Sequence, residues 1–210
     1  MLRARTDEAK ELRRQALLDA ALAEFFERGF SAARMDDIAA RAKLSKGTLY
    51  LYFDSKEALF TSLVETFAIP NIVMFEAAVQ NAGSGVAAIR TFMKIAPSVI
   101  RESPLPKIAK ILIADAPAFP EIVTAYREQV IERALGVIVS ALRAAKEAGE
   151  IEIGDPRLTA RLVIAPVLMS AIWRIVFQHD PAAKIDLDAL FAEHEKMLLR
   201  GLGVKELAHA

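Results

Sequence analysis

Apolar residues recur at helical spacing along most of the chain, and this period restricts the fold more than any other feature. The first clear stretch carries Leu17, Leu18, Ala21, Leu22, Phe25 and Phe26. Spacings of i, i+3 and i+4 place these side chains on one face of an α-helix. Only 150–153 shows even a faint alternation of the kind that a half-buried strand requires. The sequence therefore predicts an all-α protein.

Glycine and capping residues divide the first sixty or so positions into short helices. Gly29 directly follows the first apolar stretch and fits the C′ position, where a left-handed backbone is needed. A second short helix is marked by Met35, Ile38, Ala39 and Ala42. Ser45 is expected to cap a third helix over 45–53, because its hydroxyl can accept an unpaired backbone N–H. Either Asp54 or Ser55 can cap the fourth.

Longer helices are predicted for the remainder of the chain. Pro70 is expected to kink or end the fourth helix, since proline lacks the N–H that an internal turn needs. The further helices are predicted over 86–101, 105–114, 120–148, 156–179 and 187–202. The breaks between them fall at 83–85, 116–117, 147–154 and 180–181.

Composition narrows the classes of function. The 210 residues suffice for one or two domains, and 27 cations balance 27 anions. Any electrostatic attraction must therefore be local. The absence of cysteine excludes disulfides and thiol chemistry. His179, His194 and His209 lack a metal-ligand spacing, and no hydrolase, nucleotide or dinucleotide motif occurs, so we predict no catalytic residues, no metal and no cofactor.

The chain is also predicted to be cytoplasmic and to have no membrane segment. Its N-terminus is polar and lacks the apolar centre of a signal peptide. The most apolar stretch, 162–172, is far shorter than the roughly 20 residues of a membrane span. We interpret it as a helix buried inside the protein.

The short helices form a helix-turn-helix, which presents its second helix to the DNA major groove. On that helix, Leu49 and Phe53 are four residues apart and are expected to face the core formed with Phe25, Ile38 and Leu59. The outward or rim positions are Lys46, Thr48, Tyr50, Leu51 and Tyr52. Between positions 28 and 56 six cations face three anions, a local excess of three positive charges.

These outward residues suit contact with double-stranded DNA. Lys46 can neutralise a phosphate, Gly47 permits close backbone approach, and Thr48 can donate to phosphate or a base edge. The hydroxyls of Tyr50 and Tyr52 can donate, and the Leu51 side chain can meet a thymine methyl group. Lys56 opens the next helix and can reach a flanking phosphate.

The stretch ALLDAALAEFFERGFSAARMDDIAARAKLSKGTLYLYFDSKEALFTSLVE resembles the DNA-binding domain of the TetR family of bacterial transcriptional regulators. The resemblance implies a DNA-binding domain at 1–54, a ligand-binding and dimerisation domain at 55–210, and a homodimer on a palindromic operator. It places DNA contacts at Lys46, Gly47, Thr48, Tyr50, Leu51, Tyr52 and Lys56. Regulators of this family are most often repressors that a small molecule releases.

The sequence departs from the family pattern just before the second helix, where the family often has a capping threonine or serine. Here these places are Ala33 and Arg34. Alanine caps poorly, so the cap is expected to shift to Ser31 or to water. Arg34 is expected to contact a phosphate more strongly than threonine would.

The C-terminal part carries two apolar stripes on predicted helices. The first consists of Leu158, Leu162, Ala165, Met169, Trp173 and Val176, and the second of Leu187, Leu190, Phe191, His194 and Leu198. They form either a twofold four-helix interface or internal core. The candidate pocket residues are Phe75, Phe92, Phe119, Tyr126, Met169 and Trp173, although aromatic and methionine side chains more often belong to the core. Such walls favour an apolar or aromatic effector.

Two other classes of function remain open from the sequence. One is a helical small-molecule-binding protein or enzyme that has lost DNA recognition. The other is an architectural DNA-binding protein without an effector.

Overall fold

The computed structural model describes residues 2–116 and 118–204, with side chains from residue 7 onward, so Pro117 in the predicted break at 116–117 lies outside the described residues. Within this part of the chain the α-helices are α1 (Leu2–Arg28), α2 (Met35–Arg41), α3 (Lys46–Tyr50), α4 (Lys56–Leu63), α5 (Ile69–Gln80), α6 (Gly85–Glu102), α7 (Leu105–Asp115), α8 (Pro120–Tyr126), α9 (Glu132–Glu147), α10 (Pro156–Val176) and α11 (Leu187–Gly201). No described residue forms a strand, which confirms the all-α prediction.

The helix starts and the end of α1 follow the local chemistry of the sequence, whereas the third helix ends at Tyr50 and not at the predicted position 53. Gly29 has φ 83° and follows the last residue of α1. The Ser45 hydroxyl accepts from the Thr48 N–H, and Ser55, rather than Asp54, accepts from the N–H at the start of α4. At α2 the N-cap position is Arg34 and its side chain makes no capping hydrogen bond. Ser31, which was expected to cap α2, is therefore not its N-cap residue.

Pro70 does not end the fourth helix, contrary to that part of the prediction. The backbone stays helical from Lys56 to Gln80, with a π-helical segment at Val64–Ala68 just before α5. A π-helical turn widens the hydrogen-bonding ladder locally, which lets the chain pass a residue that lacks an N–H. A second π-helical segment, Arg127–Ile131, interrupts the predicted helix 120–148.

The chain divides into two compact units. The first consists of the described residues of Met1–Ala68 and Lys107–Tyr126, and the second of those in Ile69–Pro106 and Arg127–Ala210. In the first unit Leu17, Phe25, Ile38, Leu49 and Leu59 are all fully buried. The functional division at 54/55 stays a prediction.

The second unit has its own apolar core, built mainly where α6, α9, α10 and α11 pack. Its central members include Phe92, Met93, Leu142, Val163 and Phe191. Gly85 marks a very close approach of α6 to α9, because a Cβ placed there would lie 2.4 Å from the Ala141 carbonyl oxygen and from the Ala145 nitrogen. Only a residue without a side chain fits this contact.

The helix α10 is not buried inside the single chain, contrary to the prediction for 162–172. Leu162 is 69% exposed and Met169 is 60% exposed. Only the opposite side, which includes Ala160, Val163 and Ala171, is buried. By length and composition alone, α10 and the stretch Lys56–Gln80 would each be long and apolar enough to cross a membrane.

We predict that Gly85→Ala lowers the free energy of unfolding by about 1–3 kcal/mol, because overpacking forces α6 away from α9. Gly136→Ala is the matched control, since Gly136 lies on α9 with open space around it. There alanine should stabilise the protein by about 0.5–1 kcal/mol through its higher helix propensity. Urea unfolding of both variants measures the difference, and equal effects would contradict the close contact.

Candidate nucleic-acid interface

Two apolar side chains hold α3 and the turn after it, Thr48 is half-buried, and the other outward side chains are exposed. Leu49 is fully buried and Phe53 is 5% exposed, so both predicted inward residues face the core of the first unit. On the other side Leu51 is 84% exposed and Tyr50 is 42% exposed. We call the outward residues Lys46, Gly47, Thr48, Tyr50 and Leu51 the α3 surface. The exposed side chains of this surface are accessible to a second molecule.

The start of α3 is rigid and open. The Ser45 hydroxyl lies 3.0 Å from the Thr48 nitrogen and 2.8 Å from the Thr48 hydroxyl, which fixes the first turn. A Cβ at Gly47 would meet only the Ser45 hydroxyl, at 3.9 Å. The backbone of this turn can therefore approach a second molecule closely.

Lys46 is paired with a carboxylate of α2. Its ammonium lies 2.8 Å from an oxygen of Asp36, and both side chains are more than half exposed. The hydrogen bond to Asp36 and the charge of Asp36 raise the pKa of Lys46, while the positive charge of Arg34 opposes this shift. An exposed pair of this kind contributes only about 0–1 kcal/mol, so a phosphate can replace the carboxylate with little loss.

Two of the predicted DNA-contacting residues bond within the first unit. The Tyr52 hydroxyl donates to the Lys10 carbonyl at 3.2 Å. The Lys56 ammonium donates to the carbonyls of Phe30 and Ser31 at 2.9 and 3.0 Å, and it also lies over the rings of Phe30 and Phe119. Their contacts with DNA stay predictions, and for Lys56 such a contact requires sharing an ammonium that already holds the α1–α2 loop.

Asp115 binds backbone N–H groups of the α1–α2 loop, residues 29–34. One carboxylate oxygen accepts from the Phe30 N–H at 2.8 Å and the other from the Ser31 N–H at 3.3 Å. The Phe30 ring packs against the rings of Phe25, Phe60 and Phe119, with centroids 4.6–5.6 Å apart. The loop that leads into α2 is therefore fixed by its N–H groups, its carbonyls and its side chain together.

A buried carboxylate ties α1 to α2. Glu24 is 2% exposed, and its oxygens lie 2.9 Å from the Arg28 guanidinium and 3.2 Å from that of Arg41. Arg41 also bonds Glu27, and this hydrogen bond lowers the pKa of the Glu27 carboxyl. Loss of one arginine would leave the buried Glu24 charge without that partner, so the group holds α2 against α1.

The predicted pocket residues fall in both units. Phe119 and Tyr126 belong to the first unit and the other four to the second. Phe75 and Phe92 are buried with ring centroids 5.1 Å apart.

The other predicted pocket residues have quite different surroundings. Trp173 donates to the Ala183 carbonyl and packs on Phe177, whereas Met169 is exposed. Burial raises the pKa of Tyr126 to about 12. Phe119 lines a cavity of about 10 Å³ in the first unit, with room for about one water molecule. A shared effector site for these residues stays a prediction.

Two interface-supporting residues were missed by sequence reasoning. Glu24 carried a local signal, because a carboxylate three residues after Ala21 falls within the apolar face of α1. Asp115 carried none, since its partners Phe30 and Ser31 are more than eighty residues away in the sequence. Among the described residues no group of three or more His, Asp or Glu side chains could hold a metal ion, and His209 lies outside them.

Comparison with known protein families assigns both parts of the chain. The family "bacterial regulatory proteins, tetR family" matches residues 17–63. The family "AefR-like transcriptional repressor, C-terminal domain" matches residues 87–199, which is more than half of the 210 residues.

Individual proteins show the same similarity. The transcriptional regulator YhgD of Bacillus subtilis strain 168 is 26% identical over 204 residues, covering 90% of this chain and 96% of YhgD. YdgC of the same organism is 44% identical over 54 residues, a match that spans 26% of this chain and only 28% of YdgC. The structure of SmeT, a repressor from Stenotrophomonas maltophilia, in complex with triclosan has a TM-score of 0.75 and 25% identity, with 95% of each chain covered.

We predict different effects for the two lysines of the interface. Lys56→Met should lower the free energy of unfolding by about 1.5–3 kcal/mol, because two carbonyls lose a charged donor. Lys46→Ala should change it by less than about 0.5 kcal/mol, since Lys46 is exposed. Urea unfolding of both variants is the measurement, and equal losses would contradict the bonding role of Lys56.

Proposed function

This chain belongs to the TetR family of bacterial regulatory proteins, and we propose that it is a cytoplasmic repressor that binds a palindromic operator as a homodimer. A small apolar or aromatic effector releases it. The observation that carries the proposal is the α3 surface, which displays an ammonium, hydroxyls and an apolar tip on a helix anchored by Leu49 and Phe53. These groups match the acceptors and methyl groups of a major groove.

In this mechanism α3 enters the major groove. Lys46 exchanges the carboxylate of Asp36 for a phosphate, and the open backbone at Gly47 lies against the same strand. Thr48, Tyr50 and Leu51 then face base edges. Arg34, which is exposed at the start of α2, contributes a flanking phosphate contact.

The exposed face of α10 supports a homodimer. Leu158, Leu162, Ala165 and Met169 follow spacings of four, three and four residues, and all four are exposed in the single chain. On α11, Leu190 and Met197 are exposed too. An apolar seam with this spacing packs against a copy of itself. Two α3 helices about 34–36 Å apart would then occupy successive major grooves.

The effector is inferred from the character of the candidate pocket residues. Phe75, Phe92, Met169 and Trp173 belong to the same unit, and SmeT, which is similar along 95% of this chain, binds triclosan. An effector that favours a conformation with another spacing of the two α3 helices would weaken operator binding by shifting the population.

Selection of duplexes from a random pool by the wild-type protein tests the function directly. We expect an enriched palindrome with half-sites about one helical turn apart. Tyr50→Phe should bind the selected duplex more weakly while folding normally. Enrichment without twofold symmetry would favour the architectural DNA binder, and turnover of a small molecule without any enrichment would favour the enzyme.

For the dimer we predict that Leu162→Glu gives monomers in sedimentation equilibrium, because two carboxylates would be buried without partners. Val73→Glu is the control, since Val73 is 50% exposed on α5 of the same unit. That variant should remain dimeric with unchanged unfolding. Dimers of Leu162→Glu with the stability of the wild type would place the interface elsewhere.

A further inference from the structure

The turn between α2 and α3 contains an unusual backbone. Lys43 has φ 57°, and no other non-glycine residue in the described part of the chain has a positive φ. A side chain at this angle brings Cβ too close to the following carbonyl oxygen, which is why glycine normally takes the position. The chain therefore tolerates strain at this turn.

Other helices of the same chain end in the same hydrogen-bond pattern with glycine. At α2 the N–H groups of Lys43 and Leu44 donate to the carbonyls of Ala40 and Ala39. At α9 Gly149 and Glu150 donate to Lys146 and Ala145 in the same way, and Gly149 has φ 71°. Both are Schellman motifs, with position C′ in the left-handed conformation.

α11 repeats this arrangement. There Gly203 occupies position C′ with φ 73°, and its N–H and that of Val204 donate to the carbonyls of Arg200 and Leu199. A helix can therefore end in a Schellman motif without a lysine at position C′, which Lys43 occupies at the end of α2.

The Lys43 ammonium also has no partner among the described residues. Lys43 is exposed, and within the described residues its ammonium makes no ion pair or hydrogen bond. Most neighbouring cations are engaged: Arg28 and Arg41 with Glu24, and Lys46 with Asp36. Arg34 is the other cation of 28–56 without a described partner. The predicted local excess of positive charge is thus presented mainly by Lys43 and Arg34.

We propose that Lys43 is a phosphate-contacting residue, held at the turn despite the strain in its backbone. The proposal rests on the proposed function. Lys43 precedes Lys46 by three residues, so their Cα atoms are at most about 11 Å apart. Each strand of a duplex carries one negative charge per about 3.4 Å of its axis, so two lysine side chains that start this close together can both reach phosphates when α3 enters the groove.

The test measures stability and DNA binding in one set of variants. Lys43→Gly should raise Tm by about 2–4 °C through relief of strain. It should also weaken binding to a fluorescein-labelled, mixed-sequence duplex of about 30 base pairs by roughly fivefold to tenfold per bound chain at 0.1 M salt, and reduce the salt slope by about one ion per chain. Lys43→Arg should keep the slope of the wild type, since it keeps the charge.

Two controls separate charge from strain. Lys43→Asn tolerates the left-handed backbone without a charge, so it should lose the same slope. Gly149→Lys places a lysine in the equivalent motif of α9, where a Cβ has open space. It should lower Tm by about 2–4 °C and leave DNA binding unchanged.

The outcomes are distinct. A wild-type salt slope and affinity in Lys43→Gly and Lys43→Asn would overturn this inference and leave the proposed function standing. Failure of the wild-type protein to bind any duplex would overturn both.

Discussion

The interaction on which the candidate interface depends is the fixation of the loop between α1 and α2. Asp115 holds the N–H groups of Phe30 and Ser31, Lys56 holds their carbonyls, and the Phe30 ring, 2% exposed, fills a cluster of aromatic rings. A loop bonded on both sides of its backbone cannot shift without losing charge-assisted hydrogen bonds in a partly buried site. The direction of α2, and through the turn that of α3, follows from this loop.

The need to hold the α1–α2 loop and α2 in place also explains how the cations near α3 are used. A chain with zero formal net charge has no long-range attraction to DNA, so the few cations near α3 must be divided between structure and binding. Glu24 engages Arg28 and Arg41, and the α1–α2 loop engages Lys56. The cations that hold the fold are those with buried or backbone partners. The remaining cations are exposed: Lys43 at the turn between α2 and α3, Arg34 at the start of α2, and Lys46 on α3.

The sequence sufficed for features that local chemistry decides. The helical class, the cap at Ser45, and the inward positions of Leu49 and Phe53 follow from periodicity and capping rules, whereas those rules left Asp54 and Ser55 both open as caps of α4. It failed where partners are distant or backbone geometry is irregular. The hydrogen bond from the Phe30 N–H to Asp115 joins positions 85 residues apart, and neither periodicity nor capping rules describe the π-helical segment before Pro70. The sequence identifies Lys56 as a cation. Only the folded structure shows that its ammonium donates to the carbonyls of Phe30 and Ser31.

The helix α10 shows why hydropathy alone misleads. By length and composition alone it would be apolar enough to cross a membrane. A span is apolar on all sides that meet lipid, whereas the side of α10 with Ala160 and Val163 packs into its own unit and leaves a stripe through Leu162 and Met169 exposed. A stripe of heptad spacing suits packing against one further helix. In the proposed homodimer α10 lies between its own core and a second copy of the chain, and a helix in that position needs apolar side chains on both sides.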